Sequence, residues 1–212
     1  MVRWYVLVVA AAAGVGALAV VYVAGDGPDP MGAAALEVGG SPPLGDVGAP
    51  LTMIEWGDYQ CTFCYRFHQN TLDSLMPYVD SGELRIIFQD FPLNGPDSVL
   101  AAQAARCAAD QGLFWEYHDT LYRNWGGERT GWIRPPVLYG FALNVGLDMR
   151  VYGDCVGEGR HLEDIRESYR LFQEEGIDAT PSFVIHDGER SVKIVGSQPA
   201  ETFVRTIEQM LR

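Results

Sequence analysis

Cys61-Thr62-Phe63-Cys64 constrains this chain more than any other segment, because of what stands on either side of it. Before it lies a short apolar, β-prone run, Leu51-Thr52-Met53-Ile54-Glu55-Trp56, closed by the turn-forming Gly57-Asp58. After it, Tyr65-Arg66-Phe67-His68-Gln69-Asn70-Thr71-Leu72 repeats apolar residues at three- and four-residue steps, the period of a helix. A strand feeding a C-x-x-C that opens a helix is the arrangement of a redox pair. At a helix N-terminus, unpaired N–H groups and the positive end of the dipole favour a thiolate over a thiol. The thiolate is the species that attacks disulfides. A second cysteine one turn on can release a mixed disulfide formed by the first. The plain alternative is half of a zinc site, but zinc normally needs a second ligand pair at compatible spacing. Cys107 and Cys155 stand alone and no His-x-x-x-His partner exists, so no metal is assigned.

At 212 residues, with 48% hydrophobic and 20% charged, the chain has material for one domain with a substantial core. Trp4 to Ala24 differs from the rest: it is uncharged, apolar and long enough to cross a bilayer as a helix. Arg3 precedes it and Asp26 and Asp29 follow, which predicts an N-terminus in the cytoplasm and the remainder outside. A cleaved signal peptide, with small residues at Val23-Ala24-Gly25, is the competing reading. Its apolar core would be long for that role, so a retained single-pass anchor is favoured. Both readings export the domain. Four cysteines in an exported protein suggest two disulfides, and pairing Cys61 with Cys64 leaves Cys107 with Cys155 as a structural bridge. The alternative is that Cys107 and Cys155 are separate buried thiols. All 28 acidic residues lie beyond the apolar stretch, and the net charge is −13. That balance argues against nucleic-acid partners and against docking on anionic lipid.

From residue 25 to 48 the chain is rich in Gly, Pro and Ala without lasting periodicity and reads as a flexible linker. The domain then runs from 49 to 212. Its first helix is predicted from Cys61 toward Pro77-Tyr78-Val79, and Leu84-Arg85-Ile86-Ile87-Phe88-Gln89 is the next strand. Residues 96–176 read as helical throughout, with Asp148 as an N-cap. Ser182-Phe183-Val184-Ile185 and Ser191-Val192-Lys193-Ile194-Val195 flank the turn signal Asp187-Gly188, and Pro199 to Leu211 is a closing helix. The expected fold is an α/β sheet with helices on its faces, carrying a helical subdomain over the end where the cysteines lie and preceded by an N-terminal transmembrane helix.

The chain resembles the DsbA-like thiol–disulfide oxidoreductases of the thioredoxin superfamily, in their membrane-tethered, single-domain form. The resemblance covers roughly Ala49 to Arg212. It rests on Glu55, on Cys61-Thr62-Phe63-Cys64, on Phe88-Gln89-Asp90-Phe91-Pro92, on the segment from Ala105 to His118, and on Ala179-Thr180-Pro181-Ser182-Phe183. It implies that Cys61 is the exposed nucleophile and Cys64 the buried resolving thiol. It implies too that Thr180-Pro181 is a cis-proline loop against the disulfide, whose backbone groups pair with an extended substrate. The alternative is a trans proline that starts a strand. Glu55 interrupts an apolar strand, where a buried carboxylate is costly without a partner. It is expected to exchange a proton with Cys64 during turnover; the alternative places it in solvent at the strand end. The resemblance implies a thioredoxin fold with a helical insertion and disulfide donation to exported proteins with free thiols. It implies no cofactor, and reoxidation by a membrane-embedded partner of the DsbB or VKOR kind.

Thr62-Phe63 departs from the Pro-His pair of the family's strongest oxidases. Asp58 is expected to oppose thiolate formation at Cys61 if it lies close, with Arg66 offsetting it. His118 reads as packed rather than catalytic, and His68 as too far along its helix to touch Cys61. Trp115, Tyr117, Tyr122 and Trp125 read as core of the insertion, with a groove beside the active site as the alternative. Two rival functions stay open: a reductase or isomerase of the same fold, and a non-enzymatic module holding copper or zinc on Cys61 and Cys64.

Overall fold

The computed structural model describes residues 5–8, 20–23, 37, 39–174 and 176–212. Its strands are β1 (Tyr5–Val8), β2 (Val20–Val23), β3 (Leu51–Gly57), β4 (Leu84–Asp90), β5 (Ser182–His186) and β6 (Ser191–Val195). Its helices are α1 (Thr62–Asn70), α2 (Met76–Asp80), α3 (Pro96–Ala109), α4 (Phe114–Arg123), α5 (Pro135–Asn144), α6 (Met149–Glu158), α7 (Leu162–Glu174) and α8 (Ala200–Met210). The strands form one sheet in the order β1-β2-β6-β5-β3-β4. Only the β3–β4 pair is parallel, as its crossover through α1 and α2 requires.

Strand β3 is paired on both edges and buried along its whole length, which is why it reads as a near-continuous apolar run. Its period of two still sorts the side chains. Leu51 and Met53 pack with Phe67 of α1 and Phe203 and Ile207 of α8, whereas Ile54 and Trp56 pack with Phe172 of α7 on the opposite face. Glu55 is in phase with Leu51 and Met53 and so faces α1. A third core fills the insertion, α3 to α6, and is continuous with Cys61, Cys64, Tyr59 and Phe88. The two cysteines therefore lie at the seam between sheet and insertion. Cys107 of α3 is bonded to Cys155 of α6, with an S–S distance of 2.02 Å. Gln103 Nε2 donates to Val156 O at 2.8 Å across the same helix pair.

Several expectations change. The continuous transmembrane helix expected over Trp4 to Ala24 is not what the described residues form. Tyr5–Val8 and Val20–Val23 are paired antiparallel strands that extend the sheet through β6, with Tyr22 opposite Lys193. Both segments are β-branched and aromatic in composition, and β6 offers an open row of backbone groups. The remaining residues of that stretch lie outside those described, and among the described residues no helix is long and apolar enough to cross a membrane. The end of the expected linker runs along β4, where Leu44 and Ile86 exchange backbone hydrogen bonds at 2.8 and 2.9 Å. The first helix stops at Asn70 rather than continuing to Val79; a 3-10 turn at Leu72–Ser74 separates it from α2. Asp148 caps α6 as expected, accepting from the N–H groups of Arg150 and Val151 at 2.9 and 3.0 Å.

Candidate active site

Residues 58 to 61 form the tight turn between β3 and α1, and Asp58 builds it. Its carboxylate accepts from Gln60 N and Ser98 Oγ at 2.7 Å each, and from Asn94 N and Nδ2 at 2.7 and 3.1 Å. Burial raises its pKa against the lowering effect of those bonds. The carboxylate expected to act on Cys61 is thus committed to the turn, and Arg66 lies 5.3 Å over the ring of Phe63.

Cys61 is the N-cap of α1. Its backbone is extended, and its sulfur accepts from Cys64 N–H at 3.4 Å. On its other side the Cys61 thiol donates to Thr180 O, also at 3.4 Å. The Thr180–Pro181 peptide is cis. Pro181 is buried, and its carbonyl accepts from Gly196 N at 2.7 Å, which holds the loop at the start of β5. Antiparallel pairing of β5 with β3 carries this loop to the cysteines. Cys61 and Cys64 are both free thiols here and both are buried; Cys61, expected to be exposed, is 5% exposed because the Thr180–Pro181 loop and the insertion pack against it. The hydrogen bond with Cys64 is the largest influence on Cys61 and, with those from the helix N–H groups, outweighs burial and lowers its pKa to about 7. Cys64 is fully enclosed; burial first, then its bond to Cys61 and the charges of Cys61 and Glu55, push its thiol well above 9.0.

Beneath Cys64 lies a polar group of side chains, of which only Glu55 is expected there from the sequence. Glu55 is 1% exposed, and its Oε1 is 3.3 Å from His68 Nε2, close enough for an ion pair though not aligned as a hydrogen bond. His68 stacks on Tyr122 with ring centroids 3.9 Å apart, and His118 stands 4.8 Å from His68. His118 Nδ1 is 3.0 Å from Tyr59 Oη, and burial, then His68, holds its pKa well below 6.5. His68 is too far along α1 to meet Cys61, but it stands four positions beyond Cys64 and hence on the same helical face as that thiol.

The outer rim comes from the insertion. Phe63 is 53% exposed, Tyr65 stacks on Trp125 at 4.5 Å, and Trp125 Nε1 donates to Gln60 O at 3.1 Å. Trp125 is therefore part of the rim, whereas Tyr117 is core, bonded through its hydroxyl to Leu138 O and Tyr152. Among the described residues, Cys107, Cys155 and His161 form a group with metal-ligand atoms in reach of one another, but its two sulfurs are joined in a disulfide.

A family model described as Thioredoxin matches residues 37–209. "Disulfide bond formation protein D" of Bacillus subtilis is 26% identical over 152 residues, covering 70% of this chain and 68% of that protein. "Na(+)/H(+) antiporter NhaA 1" of Salinispora arenicola is 28% identical over 164 residues, 74% of this chain but only 24% of that protein. Among solved structures, oxidised BdbD from Bacillus subtilis superposes with a TM-score of 0.73 at 24% identity, covering 81% of this chain and 92% of the other. The chain belongs to the thioredoxin family, with a helical insertion that closes over a C-x-x-C at the head of α1.

Proposed function

We propose that this domain is a protein thiol–disulfide oxidoreductase that donates a Cys61–Cys64 disulfide to exported proteins. The observation that carries the reading is the asymmetry of the two thiols. Cys61 caps a helix with its pKa lowered to about 7, while Cys64, one turn on, is enclosed and raised well above 9.0. A substrate thiolate attacks Cys61 Sγ of the disulfide, forming a mixed disulfide and releasing Cys64 as a thiolate. Burial makes that thiolate unstable, so it takes up a proton, and Glu55 with His68 beside it is the donor this site supplies. A second substrate thiolate then attacks the substrate sulfur, its disulfide forms, and Cys61 leaves as a thiolate held by Cys64 N–H. A low pKa makes Cys61 a good leaving group and favours donation. Thr180 O and the neighbouring cis-proline loop supply backbone groups for an extended substrate.

Action outside the cytoplasm is supported by the bridged Cys107 and Cys155. A membrane-embedded partner of the DsbB or VKOR kind would restore the disulfide. The test mixes the oxidised protein with a reduced, unfolded disulfide protein and follows bond formation. Wild type is expected to oxidise it stoichiometrically, Cys61→Ser not at all, and Cys64→Ser, after preoxidation as a mixed disulfide with glutathione, to pass its label on without resolving it internally. Failure of wild type, with metal retained stoichiometrically by the reduced domain against a mild chelator, would replace the enzyme reading with a binding module.

A further inference from the structure

Between α4 and α5 the loop Gly126-Gly127-Glu128-Arg129-Thr130-Gly131 crosses the head of α1. It is held there at several points. Trp125 stacks on Tyr65 and donates to Gln60 O, and Arg129 N donates to Gln60 Oε1 at 3.0 Å. Thr130 Oγ1 donates to Gly126 O at 2.9 Å and closes the loop on itself. Gly127 and Arg129 both have positive φ, 104° and 55°; Arg129 is the one non-glycine residue among those described to do so, an unfavourable conformation that the Gln60 contact sustains. The outcome is a placed carboxylate. Glu128 Oε2 accepts from Thr62 Oγ1 at 3.2 Å and from Thr62 N at 3.5 Å. Thr62 is the first residue of α1 and adjoins Cys61, so Glu128 occupies the N-terminus that would otherwise serve the Cys61 thiolate alone.

We propose that Glu128 sets the redox potential of the Cys61–Cys64 pair, restraining its oxidising strength by placing a fixed negative charge at the head of α1. This rests on the oxidoreductase reading and deepens it. Only the reduced state carries a Cys61 thiolate, so a neighbouring carboxylate destabilises that state and leaves the disulfide state unaffected. Other titratable or charged groups around this end of the site are Cys64 and Arg66 on α1, Asp58 in the preceding turn, Arg129 beside Glu128, and Glu55 and His68 beneath Cys64. None of these others bonds to Thr62. Glu128 is exposed, and Glu128→Gln keeps its shape and its capacity to accept from Thr62 while removing the charge.

The experiment equilibrates wild type and Glu128→Gln with glutathione buffers and traps the thiols by alkylation. Each turnover consumes two glutathione thiols, yields one glutathione disulfide, and converts the Cys61–Cys64 disulfide to two thiols. The variant is expected to favour its reduced form about two- to fivefold more than wild type at low salt, from the worth of one charge at a helix end. The Cys61 alkylation midpoint is expected to fall in parallel. Because Glu128 is exposed, the difference is expected to shrink in about 1 M salt, where screening acts over about 3 Å. Identical equilibrium constants for the two proteins would overturn the proposal, as would a difference that salt leaves undiminished, which would assign it to loop packing. A wild type that does not exchange with glutathione at all would instead overturn the oxidoreductase reading beneath it.

Discussion

At the scale of single residues the site works by opposing two chemically identical groups. Cys61 gains hydrogen bonds from Cys64 and the helix N–H groups that favour its thiolate; Cys64 gains burial that disfavours one. Alkylation of the reduced protein is therefore expected to label Cys61 first, with a midpoint near pH 7, and Cys64 only on unfolding. The sign for stability follows. A thiol lowered from 9.0 to about 7 on folding stabilises the folded reduced state above the unfolded value, and that gain is lost as pH falls through about 7. Compared with Cys61→Ser, the reduced domain is expected to gain roughly 1–2 kcal/mol between about pH 7 and 9, measured by denaturant unfolding at each pH. His68 belongs to the same scale. His68→Gln and Glu55→Gln are each expected to slow mixed-disulfide formation about tenfold or more at neutral pH and to change its pH profile. Stopped-flow rates across pH would show it; profiles that match wild type would leave the pair a packing feature.

At the scale of elements, the turn before α1 and the bridge between α3 and α6 hold the site from opposite sides. Asp58 supports the turn through four hydrogen bonds to Gln60, Asn94 and Ser98. Asp58→Ala leaves those donors unpaired, and a loss of about 2–3 kcal/mol in unfolding free energy is expected. The Cys107–Cys155 bond spans a sequence separation of 48 residues. In the chain-entropy account a loop of that size contributes about 4 kcal/mol. A Cys107→Ala, Cys155→Ala double variant should lose stability of that order in guanidinium. Its Cys61–Cys64 equilibrium with glutathione should stay close to wild type, because neither bridge sulfur touches the active pair.

At the scale of the whole molecule, the insertion is what turns a strand–helix C-x-x-C into an enclosed site. Its core includes Cys61, Cys64 and Tyr59, and its rim contributes Trp125 and Glu128. Trp125→Ala removes a stacked ring and a hydrogen bond that tie the insertion to the head of α1. It is expected to weaken the domain by about 1–3 kcal/mol and to raise protease cleavage within residues 126–131. A reporter enzyme active only outside the cytoplasm, fused after Arg212, would be active if the domain is exported and silent if it is not.

Much of this arrangement is legible in the amino-acid order, and the limit is physical. Local period and turn chemistry act within a few residues. The strand before Cys61, the helix after it, the Asp187-Gly188 hairpin and the cap at Asp148 could therefore be read directly. Trp4 to Ala24 shows where such reading is ambiguous: an uncharged apolar run suits a membrane helix, yet its β-branched ends pair as strands when a sheet edge is within reach. The pairings of Glu55 with His68, Thr180 with Cys61 and Glu128 with Thr62 join residues on different elements. The amino-acid order determined which groups were available. Only tertiary packing decided which lie within hydrogen-bonding distance and how deeply each is buried, and those two quantities set the chemistry of a thiol.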